Sequence, residues 1–264
     1  MKAARGRSQM DLNRAVYESP RVYKYYLSTA LMPSEAACFS KHRAHVAGRA
    51  VLDIGVGAGR TAHYLSNVAG HYEAVDYSTV MVRYARKAFP GINVRQADFR
   101  DLGMFEDRSF DLVFASNNVI DSLSHEGRLQ ALRETHRVLR PGGMFVFSSH
   151  NLRYKHAFDA PRLKWSWNPA RLALNCARYL RSRFNYTRLR SLRRVTPLYA
   201  IINDPGHYFA CLHYYTTRSE MKSQLKGVGF GLKDVFDESG NLISESADDS
   251  NEVSFLYAAE RLLE

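Results

Sequence analysis

The sequence predicts an α/β protein. Its expected core is a doubly wound sheet of seven mostly parallel strands, with helices added at the N-terminus and a basic helical insertion after the fifth strand. Three observations predict this. Short apolar runs alternate with amphipathic stretches between residues 50 and 150, the pattern of buried strands joined by crossover helices. The first run ends in glycines at alternate positions, Gly55, Gly57 and Gly59. The alternation then stops near residue 151 and resumes near residue 208. A chain of 264 residues suits one such domain with an elaboration. A hydrophobic fraction of 45% and a charged fraction of 24% exclude a disordered, collagen-like or disulfide-scaffold chain.

The elements follow in order. Residues 11–48 read as helical and rich in tyrosine, with Pro33 opening a second helix. Residues 50–54 form a buried strand, and a helix follows over about 60–67. Residues 72–75 form the second strand, and the helix over 79–88 is stopped by Pro90-Gly91. Residues 92–95 and 110–116 form the third and fourth strands. Leu129, Leu132 and Leu139, with Thr135/His136 completing the spacing, place a helix over 126–139. Pro141-Gly142-Gly143 then turns the chain into a fifth strand at 144–148. In the insertion, residues 170–183 read as a helix with Leu172, Ala173, Cys176, Tyr179 and Leu180 on one face. Residues 208–216 read as an aromatic strand. Thr217 and Glu220 form a capping-box pattern for the next helix, and 230–236 and 253–259 complete the sheet. The expected organisation is a helical cap over 1–48, a core over 49–150, an insertion over 151–207 and a completion of the core over 208–264.

The charge is local. Between Arg153 and Arg194 stand twelve arginines and lysines against a single acid, Asp159, which accounts for the whole net charge of +11. Such a field attracts phosphates, anionic lipid or nucleic acid, unless it is a solvated helix face. The basic N-terminus has no apolar stretch behind it, and no run approaches the ~18 apolar residues of a membrane span. Three scattered cysteines, Cys38, Cys176 and Cys211, suit a reducing compartment. The expected address is cytoplasmic.

The stretch Val51-Leu52-Asp53-Ile54-Gly55-Val56-Gly57-Ala58-Gly59 carries the chemistry. Glycine lets the chain turn sharply and lets a ligand approach the backbone, and the following helix offers free N–H groups. The spacing G-x-G-x-G differs from the G-x-G-x-x-G of a dinucleotide site. Asp53 inside it would repel a pyrophosphate and attract an ammonium group. The stretch resembles the first motif of class I S-adenosylmethionine-dependent methyltransferases, and the resemblance runs in order through most of residues 50–150 and resumes near 208–260. It implies the Rossmann-like methyltransferase fold and S-adenosyl-L-methionine as cofactor. It further implies that Asp76, followed by Tyr77, holds the ribose hydroxyls; that Asp98 accepts from the adenine amine while Phe99 walls the ring; and that Ser116 and Asn117 lie beside the methionine moiety.

In that family a nucleophile attacks an activated methyl group, so alignment carries much of the catalysis and an oxygen nucleophile also needs a base. The fourth strand ends Ser116-Asn117-Asn118, without the Pro-Pro-aromatic signature of adenine-amine methylation. No Pro-Cys pair offers a nucleophile for cytosine, and the fifth strand ends Ser148-Ser149-His150-Asn151, without the Asp-Asn pair of magnesium-dependent catechol enzymes. No metal is expected. His150, at a strand end, is the first candidate base, and His213 the second; a loop or core histidine is the plainer alternative for each. Tyr17, Tyr23 and Tyr26 are candidates for a lid over the cofactor, with helix packing as the alternative. Trp165 and Trp167 are candidates for an acceptor pocket or a membrane face. The leading reading is O- or N-methylation of a small, anionic metabolite or sugar. The alternatives are RNA methylation by a phosphate-tracking insertion, and a lipid-acceptor, membrane-surface or non-catalytic cofactor-binding protein that lies on lipid through residues 171–194, with Leu180, Phe184, Leu189 and Leu192 as its apolar contacts.

Overall fold

A computed structural model describes residues 8–19, 22, 26, 27 and 30–263. Among them, strands β1 (Ala50–Ile54), β2 (His71–Asp76), β3 (Asn93–Gln96), β4 (Phe110–Ala115) and β5 (Leu139–Asn151) pair in parallel in the order β3-β2-β1-β4-β5. Two further strands, β9 (Phe230–Phe236) and β10 (Ser254–Arg261), close the sheet. β10 runs antiparallel to β5 from Ser254↔His150 to Glu260↔Met144, and β9 runs antiparallel to β10. These are the seven strands expected for the core sheet; the aromatic strand expected over 208–216 lies beyond them. Alternate residues bury on opposite faces: Leu52, Ile54, Val113, Phe145 and Phe147 pack on one side. Val51, Leu112, Phe114, Met144 and Val146 pack on the other. Burial on both faces is what makes these strands continuous apolar runs.

Helices α1 (Gln9–Tyr17), α2 (Pro33–Lys41), α3 (Ala62–Val68), α4 (Thr79–Ala88) and α5 (His125–Val138) match the expected positions to within a few residues. Ser78 caps α4 by accepting from the Met81 amide, and Ser124 caps α5 by accepting from the Gly127 amide. The predicted turn at Pro141-Gly142-Gly143 instead lies inside β5. Gly142 adopts φ +74 and the register against β4 shifts between Phe110 and Leu112, so the strand absorbs the turn as a bulge.

The insertion departs furthest from expectation. Its helix α6 (Pro169–Arg188) is a turn longer than predicted. It leads into a ribbon of β6 (Arg194–Val195), β7 (Tyr199–Ile202) and β8 (His213–Thr216), followed by α7 (Arg218–Lys226). β8 begins at His213 because residues 206–209 form a tight 3-10 turn. β8 then joins the tip of β5 in parallel, at His150↔Tyr215 and Asn151↔Thr216. The thirteen-residue β5 therefore serves three neighbours, β4 and β10 along its length and β8 at its end. The face expected to pack on α6 is met in part: Leu172, Cys176 and Tyr179 are half-buried and Ala173 and Leu180 exposed, while Ser182 and Asn185, not expected there, are buried. Among the described residues no helix is long and apolar enough to cross a membrane.

Candidate active site

The cleft opens at the C-terminal ends of β1, β2 and β4, where the strand order reverses, the position at which open α/β sheets bind ligands. Its space, counted out to its open mouth, is about 720 Å³, and Asp53, Gly55, Gly57, Asp76, Ser116 and Asn117 are among its lining residues. Gly57 adopts φ +56, and a Cβ there would project into open space, with only the Gly55 carbonyl at 3.8 Å. Its N–H donates to Asp76 Oδ2 at 2.9 Å, while Ser78 N–H donates to Oδ1 at 2.8 Å. Two acceptor positions of the Asp76 carboxylate remain. Burial pushes its pKa up to about 6. Gly59 is placed differently from the expectation. It stands outside the residues lining the cleft, and a side chain there would run into Phe89, so its part is to bring loop and helix together.

Asp53 is buried and accepts from the Thr61 hydroxyl at 2.6 Å and the Tyr72 hydroxyl at 2.8 Å, both on Oδ2. Burial pushes it, too, up to about 6. Beside it Arg60 pairs with Glu35 of α2, whose carboxylate also takes the Ser116 hydroxyl. Glu35 is fully buried, and nothing in its sequence neighbourhood marked it out.

A smaller hollow adjoins the cleft, lined by Met10, Ile54, Ala97, Asp98, Phe99 and Leu123, with Tyr77 shared between the two. Phe99 is buried there, its ring edge-on to Phe145. Asp98 is less available than expected. Arg100 holds both of its oxygens, at 2.6 and 3.0 Å, and outweighs the effect of burial to keep its pKa low.

At the ends of β4 and β5 the chain turns tightly, with Asn117 and Asn118 both left-handed at φ 55 and 58. Consecutive non-glycine residues in that region store strain, which clusters at ligand sites. The Asn118 N–H donates to Ser148 Oγ at 2.6 Å, and its side-chain amide lies 3.1 Å from His150 Nε2. On its other side His150 Nδ1 lies 2.7 Å from Asp121 Oδ2, which also accepts from the His150 N–H. Asp121 Oδ1 accepts from Arg128 at 2.5 Å and from Ser149 Oγ at 2.7 Å. Burial would raise Asp121, but the Arg128 guanidinium and His150 outweigh it and hold the carboxyl below its usual range. The bonding assigns the His150 proton to Nδ1 and leaves a lone pair on Nε2.

His213 is the counterpart of His150 but not its equal. Its Nδ1 lies 2.7 Å from Asp204 Oδ2, which also accepts from the Tyr215 hydroxyl at 2.9 Å. Burial would lower His213, but the Asp204 carboxylate outweighs it and raises the pKa well above the ordinary value. Asp204 is correspondingly held low, mainly by that imidazolium against the effect of burial. The two imidazoles stack with centroids 5.2 Å apart. One ligand atom each from His150, Asp204 and His213 lie within 4.8 Å of one another, a donor set chemically able to hold a divalent ion, although each is already bonded to protein partners.

Tyr17 and Tyr26 line the cleft from above, and Tyr26 Oη meets His207 Nε2 at 2.9 Å. Tyr23 lies outside the described residues. Trp165 and Trp167 line none of these hollows and are exposed. Sequence reasoning missed Asp121, Asp204 and His207, and placed Asn118 at the strand end without its contact to His150. Asp204 precedes Pro205-Gly206 and reads as a turn residue, and only the pairing of β7 with β8 brings it to His213.

The residues fit S-adenosylmethionine. Asp76 keeps free acceptor positions, Gly57 leaves its backbone bare toward the cleft, and the buried Tyr77 hydroxyl has no partner among the described residues. Comparison with known proteins agrees. Residues 51–143 match the family described as "Methyltransferase domain". A probable S-adenosylmethionine-dependent methyltransferase of Mycolicibacterium smegmatis is 35% identical over 116 residues, 44% of each chain. A fatty-acid O-methyltransferase of the same organism is 33% identical over 141 residues, 52% of this chain and 47% of its own. The chain thus spans about half or less of the length of these relatives. The crystal structure of Burkholderia thailandensis 1,6-didemethyltoxoflavin-N1-methyltransferase, with bound S-adenosylhomocysteine, superposes with a TM-score of 0.60 at 15% identity, over 96% of this chain and 88% of that one. Residues 51–143 thus match a methyltransferase domain by sequence, and over most of its length the chain has the fold of class I S-adenosylmethionine-dependent methyltransferases.

Proposed function

We propose that the protein transfers a methyl group from S-adenosylmethionine to an oxygen or nitrogen atom of a small-molecule acceptor, with His150 as the group that takes the acceptor's proton. The observation that carries this reading is the Asp121–His150–Asn118 arrangement at the tips of β4 and β5, adjoining the cleft at Asn117 and Ser122. When bound, the cofactor supplies a sulfonium-activated methyl group. Asp76 would hold its ribose, Tyr77 and Phe99 its adenine, and Asp53, Ser116 and Asn117 would stand near its methionine end. Asp121 fixes the His150 tautomer and stabilises the imidazolium once Nε2 has taken a proton, the role an acid plays behind a general base. Nε2 now faces the Asn118 amide, so that amide must yield to the acceptor's O–H or N–H. His213 is less suited to be the base, because deprotonating it would give up a buried ion pair. It serves to position His150 through ring stacking and through Asp204.

The arginines of the insertion do not line the cleft, and Arg60, which does, is paired with Glu35. We therefore place no charge requirement on the acceptor, and the expected anionic character loses its support at this site. An apolar acceptor is the second reading, and the likeness to a fatty-acid O-methyltransferase favours it. The test is incubation with methyl-labelled cofactor and an extract split into small-molecule, lipid, RNA and protein fractions. Label in small molecules or lipid supports the proposal and selects between the two acceptor readings. Label confined to RNA or protein overturns it.

A further inference from the structure

The insertion holds a run of exposed large apolar side chains. α6 meets the body with a mixed side: Ser182 and Asn185 are buried, Leu172, Cys176, Tyr179 and Tyr186 are half-buried, and the Asn185 amide donates to the Tyr208 carbonyl at 2.9 Å. The opposite side carries Ala173, Ala177, Leu180 and Phe184, spaced by four, three and four residues, all exposed. Leu180 and Phe184 are 65% and 64% exposed. The segment leading into the helix adds Trp165 and Trp167, 66% and 92% exposed, with Phe158 and Leu163 behind them. The side of a globular helix that faces away from the core is ordinarily polar, and here it carries an apolar stripe. Leu189 and Leu192, expected to belong to this surface, instead pack against the body with Tyr199 and Tyr214.

The charge around the stripe identifies its partner. Arg181, Arg183 and Arg188 flank it, and residues 160–200 contain no acid. Among the described residues no ion pair engages Lys164, Arg171, Arg178, Arg183 or Arg190. A second copy of the chain would set arginine against arginine. An RNA would satisfy the arginines and leave Leu180 and Phe184 facing water. An anionic bilayer satisfies both, taking the apolar stripe at the headgroup boundary while the guanidinium groups meet lipid phosphates. Tryptophan side chains, apolar in body with one polar N–H, suit that boundary.

We propose that α6 and the Trp165–Trp167 segment form a docking surface for an anionic lipid bilayer. The surface lies beside the roof of the cleft, since α6 packs on the Gly206–Phe209 turn whose His207 meets Tyr26. The inference is independent of the reading of the cleft.

Trp165 and Trp167 are the only tryptophans in the chain, so emission excited at wavelengths that tryptophan but not tyrosine absorbs reports on this surface alone. The whole protein is mixed with phosphatidylcholine vesicles, with and without phosphatidylglycerol, at low and high salt. The expected result is a blue shift and co-sedimentation on the anionic vesicles, at least about tenfold stronger than on neutral ones and weakened by salt. The double variant Leu180→Asp, Phe184→Asp should lose that binding while S-adenosylhomocysteine titration shows the cleft intact. No shift on anionic vesicles, or equal binding to neutral ones, overturns the proposal. So does a concentration-dependent dimer abolished by the same variant, or an RNA oligonucleotide that quenches the tryptophans while vesicles do not.

Discussion

Replacing Asp76 by alanine tests the cofactor site most directly. Two of the four acceptor positions on its carboxylate are used by the Gly57 and Ser78 amides, which leaves two for a pair of ribose hydroxyls. Hydrogen bonds to a charged acceptor are worth ~1.5–3 kcal/mol each. Losing both should weaken binding by two to four orders of magnitude, on the usual ~1.4 kcal/mol per tenfold. Isothermal titration with S-adenosylhomocysteine measures this. Because alanine also strips the acceptor from two buried amides, Asp76→Asn is needed beside it, since its carbonyl can still serve one of them. A thermal melt of each variant shows whether the fold survives. The pH dependence supplies a second magnitude. Burial places the free carboxyl at about 6, so binding that requires the anion should be about tenfold weaker near pH 5 than near pH 8. Asp53, also at about 6, adds to that slope, so Asp76→Ala should reduce it without abolishing it. If both folded variants bind within about threefold of the parent, Asp76 is not the ribose acceptor and the reasoning fails.

Further consequences concern the histidines. His150→Ala should lower kcat on the identified acceptor by about two to four orders of magnitude, as expected for loss of a general base, with cofactor affinity unchanged; full activity would remove His150 from the mechanism. Asp204→Asn should destabilise the fold by ~3–5 kcal/mol, because it leaves a buried imidazolium unpaired. That stability is wholly present below the ordinary histidine pKa of about 6.5 and is lost as pH rises through the higher folded value of His213. The Asp204 share appears above about 4 and is lost as pH falls through its depressed folded value. Urea unfolding should therefore show the gap between parent and variant widest from about pH 4 to 6.5 and narrower near pH 9. Exhaustive dialysis against a chelator should leave turnover intact; a loss restored by a divalent ion would make His150, Asp204 and His213 its ligands.

The parts of the site legible in the sequence are those where one local segment does the work. The Gly55–Gly59 turn, the acid ending β2 and the strand ends at Ser116 and His150 each follow from a strand running into its own loop. The parts that were not legible are assembled from distant segments. Asp121 reaches His150 across 29 positions, Glu35 reaches Ser116 across 81, and Tyr26 reaches His207 across 181. No spacing within either partner announces such contacts. Asp98 shows the reverse: its position fits the family pattern, yet Arg100 two residues on occupies it.

The insertion shows why periodicity alone misleads. A 3.6-residue repeat identifies an apolar side of α6, and it gave a face containing Leu172, Ala173, Cys176, Tyr179 and Leu180. Which side meets the protein is a separate question, and the answer lies in the surface available to pack against. That surface is the 206–209 turn, whose left-handed residues expose carbonyls such as that of Tyr208 and therefore demand a donor. Asn185 supplies the donor and Ser182 is buried on the same side, so Leu172, Cys176 and Tyr179 are half-buried while Ala173 and Leu180 are exposed. The stripe of Ala173, Ala177, Leu180 and Phe184 left exposed on the far side has its hydrophobic energy still to gain. The twelve basic residues around it restrict where that gain can come from.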